Sequence, residues 1–247
     1  MKRLVVSVAS LFAFLAPVYA QVDSLVQNGS TVGTSSPLNQ SVARLRMGGS
    51  SCSGSFISSR TILTAAHCLK GRVPSGVEVQ VRGPNGSWFS QRAARLVVHP
   101  NYKITSDASG AKTRFDFALI NLATKMGTTV RPVTVVDPGG SSGWFRVTVA
   151  GFGYNAQGSG AGVLRTGAMH AQAKGMPEFF GDRGLYMVPV SSQATCPGDS
   201  GGPVFIDGST TQQIGVHSLS SGCQGGDALS YSAIPSQVVS WIRTNTQ

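Results

Sequence analysis

The chain has 247 residues, with 20 Lys or Arg against 10 Asp or Glu, so its formal net charge is +10 at neutral pH. After the N-terminal segment no apolar run reaches about 18 residues, which excludes a membrane-spanning helix. The cations are scattered singly, which is typical of a basic soluble surface. Weak attraction to nucleic acid, acidic polysaccharide or an anionic cell surface stays open.

The first twenty residues have the pattern of a signal peptide. Met1-Lys2-Arg3 is basic, the stretch 4–15 is mostly apolar, and Val18-Tyr19-Ala20 places small residues where signal peptidase cuts. We therefore predict a signal peptide over 1–20 and a secreted protein, extracellular or periplasmic. Its removal lowers the formal charge to +8, because Lys2 and Arg3 leave, and roughly 227 residues remain, enough for one large all-β domain or two small ones.

Short runs rich in β-branched residues recur between turn residues along the rest of the chain. They predict strands at 77–81, 95–98, 118–120, 147–150 and 202–206, with turns at 84–86, 137–140 and 207–208. This spacing favours an antiparallel barrel or sandwich. Near the end, apolar residues at near-helical spacing predict a helix within 235–246.

Three separated segments carry the chemistry. Ser200 lies in a glycine-rich turn, where Gly201 and Gly202 have no Cβ and allow a close backbone approach. A serine hydroxyl is a poor nucleophile unless a base takes its proton and a carboxylate orients that base. His67 and Asp116, far upstream, supply a candidate base and acid.

These segments match family motifs in family order: TAAHC around His67, DFALI at Asp116 and GDSGGP around Ser200. The chain thus resembles the trypsin/chymotrypsin family of secreted serine endopeptidases over roughly 26–247. The resemblance implies an all-β fold of two six-stranded antiparallel barrels, with the active site between them and a C-terminal helix behind.

The N-terminal barrel would span 26–133 and carry His67 and Asp116, and the C-terminal barrel would span 134–247 and carry Ser200. His67 would act as general base and Asp116 would orient it. Asp107, in a polar stretch interpreted as a surface loop, is the disfavoured alternative. The N–H groups of Gly198 and Ser200 would form the oxyanion hole. The triad needs no cofactor.

The four cysteines suit an oxidising compartment, and by themselves they allow three disulfide pairings. The resemblance implies Cys52–Cys68 beside the histidine and Cys196–Cys223 beside the serine. A metal site is the disfavoured alternative, since paired CxxC or HxxxH spacing is lacking.

The resemblance also implies activation by cleavage. Val26 best fits the new N-terminus, after loss of a short propeptide at 21–25, and it would pair with Asp199. No Lys or Arg precedes the cut, so trypsin-type activation is not expected.

The residues expected around the substrate side chain are Ala194, Thr195, His217, Ser218, Ser220 and Leu229. Ala194 stands where trypsin-like members carry the aspartate that binds Lys or Arg. His217, Ser220 and Thr195 resemble the pocket of glutamate-specific members, in which a histidine and hydroxyls bind the substrate carboxylate. In the alternative, His217 fills the pocket, and Ser220 and Leu229 narrow it for small aliphatic side chains, as in elastase-like enzymes.

The partners implied are peptide or protein substrates, and we expect a monomer with no membrane association. A catalytically silent binding protein with a basic surface is the second hypothesis. An esterase is the third, because the same acyl chemistry cleaves esters.

Overall fold

A computed structural model of the chain describes residues 26, 28–107, 110–140, 143–154, 162–176, 183–223 and 229–247. The predicted signal peptide at 1–20 and propeptide at 21–25 lie outside the described residues. The strands are β1 (Ser30–Thr31), β2 (Val42–Met47), β3 (Ser50–Phe56), β4 (Thr61–Thr64), β5 (Glu78–Arg82), β6 (Trp88–Arg92), β7 (Arg95–Val98), β8 (Lys103–Asp107), β9 (Gly110–Arg114), β10 (Ala118–Asn121), β11 (Thr134–Val135), β12 (Phe145–Gly151), β13 (Arg165–Gly175), β14 (Arg183–Pro189), β15 (Pro203–Ile206), β16 (Gln212–Ser220) and β17 (Ser230–Ala233).

The C-terminal half contains a closed antiparallel barrel of six strands. Neighbours follow the order β13-β12-β15-β16-β17-β14, and β14 pairs back with β13 to close the ring. Two short strands add to it, because β1 pairs with β13 and β11 runs parallel to β16. Residues 30–31, early in the chain, therefore belong to the C-terminal sheet.

The N-terminal half is a second antiparallel sheet, with the order β6-β5-β2-β3-β4-β10-β7. Its inner strand β4 is buried along its whole length, and so is β10 beside it. Strands buried on both faces explain why these segments are continuous apolar runs rather than alternating ones. The all-β, chymotrypsin-like prediction is confirmed in this half-barrel and in the closed barrel.

A separate two-stranded ribbon, β8-β9, lies between β7 and β10. The surface loop expected around residue 107 is wrong in this respect, because the backbone from 103 to 114 pairs as a hairpin. Its small polar residues, such as Thr105 and Ser106, suit a solvated ribbon without the alternating apolar pattern that identifies a strand in sequence.

The described helices are short. They are α1 (Leu38–Ser41), α2 (Ala66–Leu69) and α3 (Val239–Asn245), with 3₁₀ turns at Pro74–Gly76 and Pro235–Val238. The predicted C-terminal helix is therefore present, preceded by a 3₁₀ turn that begins at a proline. Val238 of the turn and Ile242 of the helix are buried in the same cluster as the core of the N-terminal sheet. No helix in the described ranges is long and apolar enough to cross a membrane.

Candidate active site

His67 and Asp116 come from neighbouring strands of the N-terminal sheet. His67 lies in α2, directly after β4, and Asp116 directly precedes β10, which pairs with β4. Asp116 is fully buried, and its Oδ2 lies 2.7 Å from His67 Nδ1 while its Oδ1 accepts the His67 backbone N–H at 2.8 Å. The carboxylate thus fixes both the ring and the backbone of the histidine.

This contact governs the charge of the imidazole. Burial by itself lowers the pKa of His67, but the negative charge of Asp116 and its hydrogen bond outweigh that effect, and the pKa lies above its ordinary 6.5. Because Nδ1 faces the carboxylate, the other ring nitrogen, Nε2, is the one available to accept a proton.

Two linked hydroxyl groups support Asp116, one from Ser218 on β16 of the closed barrel and one from Thr113 on β9. Ser218 Oγ donates to Asp116 Oδ2 at 2.5 Å, and Thr113 Oγ1 lies 2.9 Å from Ser218 Oγ. Since Ser218 gives its proton to the carboxylate, Thr113 is left to donate to Ser218. Both hydroxyl residues are buried.

Ser218 was expected in the substrate pocket, and its hydroxyl instead lies against Asp116. The physical reason is an irregularity in the pairing of β16 with β17, located between His217 and Leu219. The extra residue in a bulge changes the direction of the side chain relative to its neighbours.

Ser200 lies within a turn that depends on glycines. Gly198 has φ +99° and Gly201 has φ +79°, and a Cβ on Gly201 would collide with Thr64 Oγ1 and with the backbone O of Ser53. Atoms this close leave no room for a side chain. Ser200 O accepts the N–H of Ser53 on β3 at 2.8 Å, which joins the turn to the N-terminal sheet.

Ser53 makes two further bonds across the cleft, and sequence reasoning missed it. Its Oγ donates to Gly198 O at 2.8 Å and accepts the Phe152 N–H at 2.9 Å. All three groups belong to buried residues. Nothing local marks this serine in the sequence, because its partners lie 99 and 145 residues away.

His67 and Ser200 both lie against the first disulfide. Cys68 Sγ lies 3.7 Å from His67 Nε2 and 3.8 Å from Ser200 O. Within the described chain Ser200 Oγ makes no hydrogen bond, and the Gly198 and Ser200 N–H groups are likewise without a partner. Such geometry is common in a site without substrate, where the catalytic hydrogen bonds tighten on binding.

Both predicted disulfides are confirmed: Cys52–Cys68 and Cys196–Cys223. The atoms of Cys52, His67 and Cys68 that could hold a metal lie within 4.8 Å of one another. Since the two sulfurs are bonded to each other, they are not available as thiolate ligands.

Asp199, next to the nucleophile, is buried and held by backbone N–H groups. Its two carboxylate oxygens accept the N–H of Gly153 and the N–H of Cys196, each at 2.9 Å. Burial raises the pKa of Asp199 to about 6, against the lowering effect of these bonds and of the charge of Arg165. The charged form therefore lacks full compensation.

Val26 is buried in the core of the C-terminal barrel, close to Gly167 on β13. Gly167 pairs with Val149 on β12, and the end of the same strand, Gly151, packs against the Asp199 carboxylate. Along the β12–β13 ladder, the pair that contacts Val26 is therefore two residue pairs from the pair that contacts Asp199.

The expected pocket residues divide between a buried base and an open mouth. Ala194 and Thr195 are buried, and Thr195 Oγ1 lies 2.6 Å from Ser230 Oγ. Ser220 is exposed and Leu229 is half-buried. The base of the group is therefore polar and enclosed.

His217, also one of the expected pocket residues, is buried in β16 and lies opposite Ser232 on β17. Burial, followed by the nearby charge of His67, lowers the pKa of His217 to about 3, so the ring is neutral at physiological pH. In the part of the chain that the structure describes, His217 Nδ1 and Ser232 Oγ are buried without a hydrogen-bond partner.

The sequence is similar to those of known proteins. A family model described as Trypsin matches residues 30–242. Serine protease SP24D of Anopheles gambiae is 30% identical over 234 residues, which cover 87% of this chain and 79% of that protein. Trypsin beta of Drosophila erecta is 25% identical over 232 residues (88% and 87%), and trypsin of Sus scrofa is 28% identical over 191 residues (72% and 78%). The family match covers most of the chain, including both barrels and the whole site, and the chain accordingly belongs to the trypsin family of serine endopeptidases.

Proposed function

We propose that His67, Asp116 and Ser200 form the catalytic triad of this endopeptidase. His67 Nε2 takes the Ser200 hydroxyl proton as Oγ attacks the scissile carbonyl, and the imidazolium is stabilised by Asp116. The proton then passes to the leaving amine, and an acyl-enzyme remains. Water, deprotonated by the same histidine, releases the acid and restores Ser200.

The oxyanion would be bound by the N–H groups of Gly198 and Ser200. Their lack of partners in the described chain supports this role, because a donor already used elsewhere cannot stabilise developing charge. Loss of one such donor typically costs about 10²–10³ in rate.

We further propose that the enzyme cleaves after glutamate. The observation that supports this most is the buried, unpartnered Nδ1 of His217 beside a cluster of hydroxyl groups. A buried polar atom without a partner is costly, and a substrate carboxylate would accept hydrogen bonds from the imidazole and from hydroxyls such as that of Thr195. Ala194 supplies no carboxylate, which disfavours Lys and Arg.

The elastase-like alternative uses the same residues differently. A neutral, buried His217 could fill the pocket and leave room for a small aliphatic side chain only. A catalytically silent binding protein is a weaker alternative, since the bonded His67–Asp116 pair and the unoccupied donors at Ser200 have no purpose in it.

Peptide amides that differ only in the residue before the cut test these proposals. With Glu, Gln, Ala, Leu and Lys at that residue, we expect kcat/KM to be highest for Glu and activity to disappear in Ser200→Ala. His217→Val should reduce the Glu-to-Gln ratio about ten- to hundredfold, since a hydrogen bond to a charged group is worth about 1.5–3 kcal/mol.

His170→Val is the matched control. His170 lies on β13 of the same barrel, is partly exposed, and pairs with Val188 on β14, so that at least one strand separates it from β16 and β17. An unchanged Glu-to-Gln ratio in His217→Val would exclude the carboxylate role. If the parent enzyme cleaves after Ala or Leu and not after Glu, its specificity is elastase-like.

We also propose that the protein is exported and activated by cleavage before Val26. The N-terminal sequence pattern and the two disulfides support export. The incompletely compensated Asp199 carboxylate and the nearby Val26 support activation, because a new ammonium group would neutralise the buried charge. Mass spectrometry of the mature protein, with Val26 expected first, tests both.

A further inference from the structure

A second polar cavity lies beside the Ser200 turn and has no part in the mechanism above. Its volume is about 410 Å³, and it is bounded by the β2–β3 hairpin, by β5 and β6, and by the loop after β12. The charged and aromatic residues that line it are Arg44, Arg46, Glu78, Arg92 and Tyr154.

The cavity carries an excess of positive charge. Glu78 is its one lining carboxylate among the described residues, and it lies 3.3 Å from Arg46 Nη1. Arg92 donates to the backbone carbonyl of Ser75, and Arg72 adds a fourth guanidinium through its bond to Ser50. Among the described residues, three of the four cations are therefore without a carboxylate partner.

Two donors in the cavity are buried without a hydrogen-bond partner in the described ranges, Arg44 Nε and Ser51 Oγ. Burial, and then the charge of Arg46, lower the pKa of Arg44. The guanidinium of Arg44 remains charged at neutral pH. An anion bound in the cavity would compensate for the lost solvation of Arg44 and for its repulsion by Arg46. The chemistry of the cavity thus suits a carboxylate.

Its position relative to Ser200 identifies the source of that carboxylate. Ser51 precedes by two residues Ser53, whose N–H bonds Ser200 O, and Tyr154 N–H bonds Pro197 O next to the oxyanion donors. None of the residues proposed to hold the acyl side chain is among the described residues that line this cavity. We therefore expect the leaving half of a peptide that crosses Ser200, rather than its acyl half, to pass the cavity.

We propose that this cavity is a subsite for an acidic residue among the first residues after the scissile bond, with Arg44 and Arg46 as its main ligands. The inference rests on the proposed triad and deepens it by adding a second specificity element. The preferred substrate then carries a negative charge on the leaving side of the cut.

Internally quenched peptides with one fixed acyl half test the subsite. Asp, Asn or Lys is placed at the second or third residue after the cut, and each rate is divided by that of an anilide with the same acyl half. We expect Asp to be cleaved about fivefold faster than Asn, the size of a solvent-accessible ion pair, and Lys to be slower than Asn. The preference should shrink at about 0.5 M salt.

The variant Arg44→Gln/Arg46→Gln should bring the Asp-to-Asn ratio close to one. Arg146→Gln is the matched control, because Arg146 is an exposed arginine on β12 that pairs with Asp207 and is not among the residues that line the cavity; it should keep the parent ratio. Equal cleavage of Asp and Asn peptides by the parent, or a preference that survives the double substitution, overturns the inference.

Binding to Ser200→Ala separates this inference from the proposed mechanism. Fluorescence anisotropy of the labelled Asp and Asn peptides needs no catalysis, and the Asp peptide should bind more tightly only when both arginines are present. If binding discriminates but no substrate is cut by the parent, the proposed mechanism fails and the subsite stands. If cleavage occurs without discrimination in either assay, the subsite alone fails.

Discussion

Replacing Ser53 by alanine removes the hydroxyl that joins the N-terminal sheet to the nucleophile turn. The hydroxyl bonds Gly198 O at 2.8 Å and the Phe152 N–H at 2.9 Å, and no water replaces it easily because all three residues are buried. Each of the two buried groups left unsatisfied costs about 1–3 kcal/mol, so we expect a loss of about 2–6 kcal/mol in unfolding free energy. For a chain of this size the Tm should fall by roughly 4–24 °C.

The same substitution should affect catalysis, because Gly198 supplies a proposed oxyanion donor. Its carbonyl would lose the bond that fixes the turn, and the N–H would be misplaced rather than removed. We expect kcat to fall about tenfold, less than the 10²–10³ of a deleted donor, with little change in KM. Steady-state kinetics on a single peptide amide and a thermal melt provide the two numbers.

Ser55→Ala is the control for this prediction. Ser55 lies two residues along the same strand, is equally buried, and donates across the barrels to Gln213 Oε1 at 2.6 Å, away from the nucleophile turn. It should lose stability by about 1–3 kcal/mol while keeping its kcat. If both variants lose kcat equally, the effect comes from barrel docking in general, and the reasoning about the Ser53–Gly198 bond is refuted.

Three further predictions follow from the buried polar groups. Thr113→Val should lower kcat about two- to tenfold with KM unchanged, because Ser218 loses its donor; equal kcat would show that Thr113 does not help to orient Asp116. For a substrate with a neutral side chain, kcat/KM should fall as the pH drops through a single ionisation above 6.5, because His67 must be neutral to accept a proton and Asp116 raises the pKa of His67. In Asp116→Asn the apparent pKa of this pH profile should be lower. The chain not cleaved before Val26 should lose about 3 kcal/mol of unfolding free energy as the pH rises from 4 to about 6, because the pKa of Asp199 in the folded state exceeds its ordinary 3.8 and only the charged form is penalised. A Ser200→Ala chain that begins at Val26 should lose less stability over the same pH range. If the Tm of both forms changes equally with pH, a Val26–Asp199 pair is contradicted.

The parts of the site that the sequence predicted are those whose signal is local. Short apolar runs identified β5, β7, β10, β12 and β15, because buried strands must be rich in apolar residues wherever their partners are. The glycine-rich turn at Ser200 was equally visible, because its glycines stand together in the sequence. The structure explains why they are needed, since a Cβ on Gly201 would collide with Thr64 Oγ1. Each motif that resembles the family is likewise a short contiguous segment, which can be recognised without knowing its partners.

The parts that escaped prediction depend on contacts across the cleft. Thr113 meets Ser218 from 105 residues away, and Ser53 meets Gly198 from 145. No spacing rule connects such positions, because neither hydrophobic periodicity nor turn chemistry encodes which loops of two barrels will face each other. The arginine cavity escaped for the same reason, as Arg44, Arg92 and Tyr154 meet only when the hairpin and the loop after β12 are in place.

These cross-cleft bonds are reciprocal, and that has a consequence for activity. The C-terminal Ser200 turn is fixed by Ser53 of the N-terminal sheet, and the N-terminal Asp116 is fixed by Ser218 of the C-terminal barrel. Each half of the proposed machinery is therefore oriented by the opposite half. A small shift between barrels would misplace both the base and the oxyanion donors at once, although each barrel keeps its own core and sheet. Activity should consequently be more sensitive than stability to substitutions along the cleft, because alignment of reacting groups tolerates displacements of well under about 1 Å.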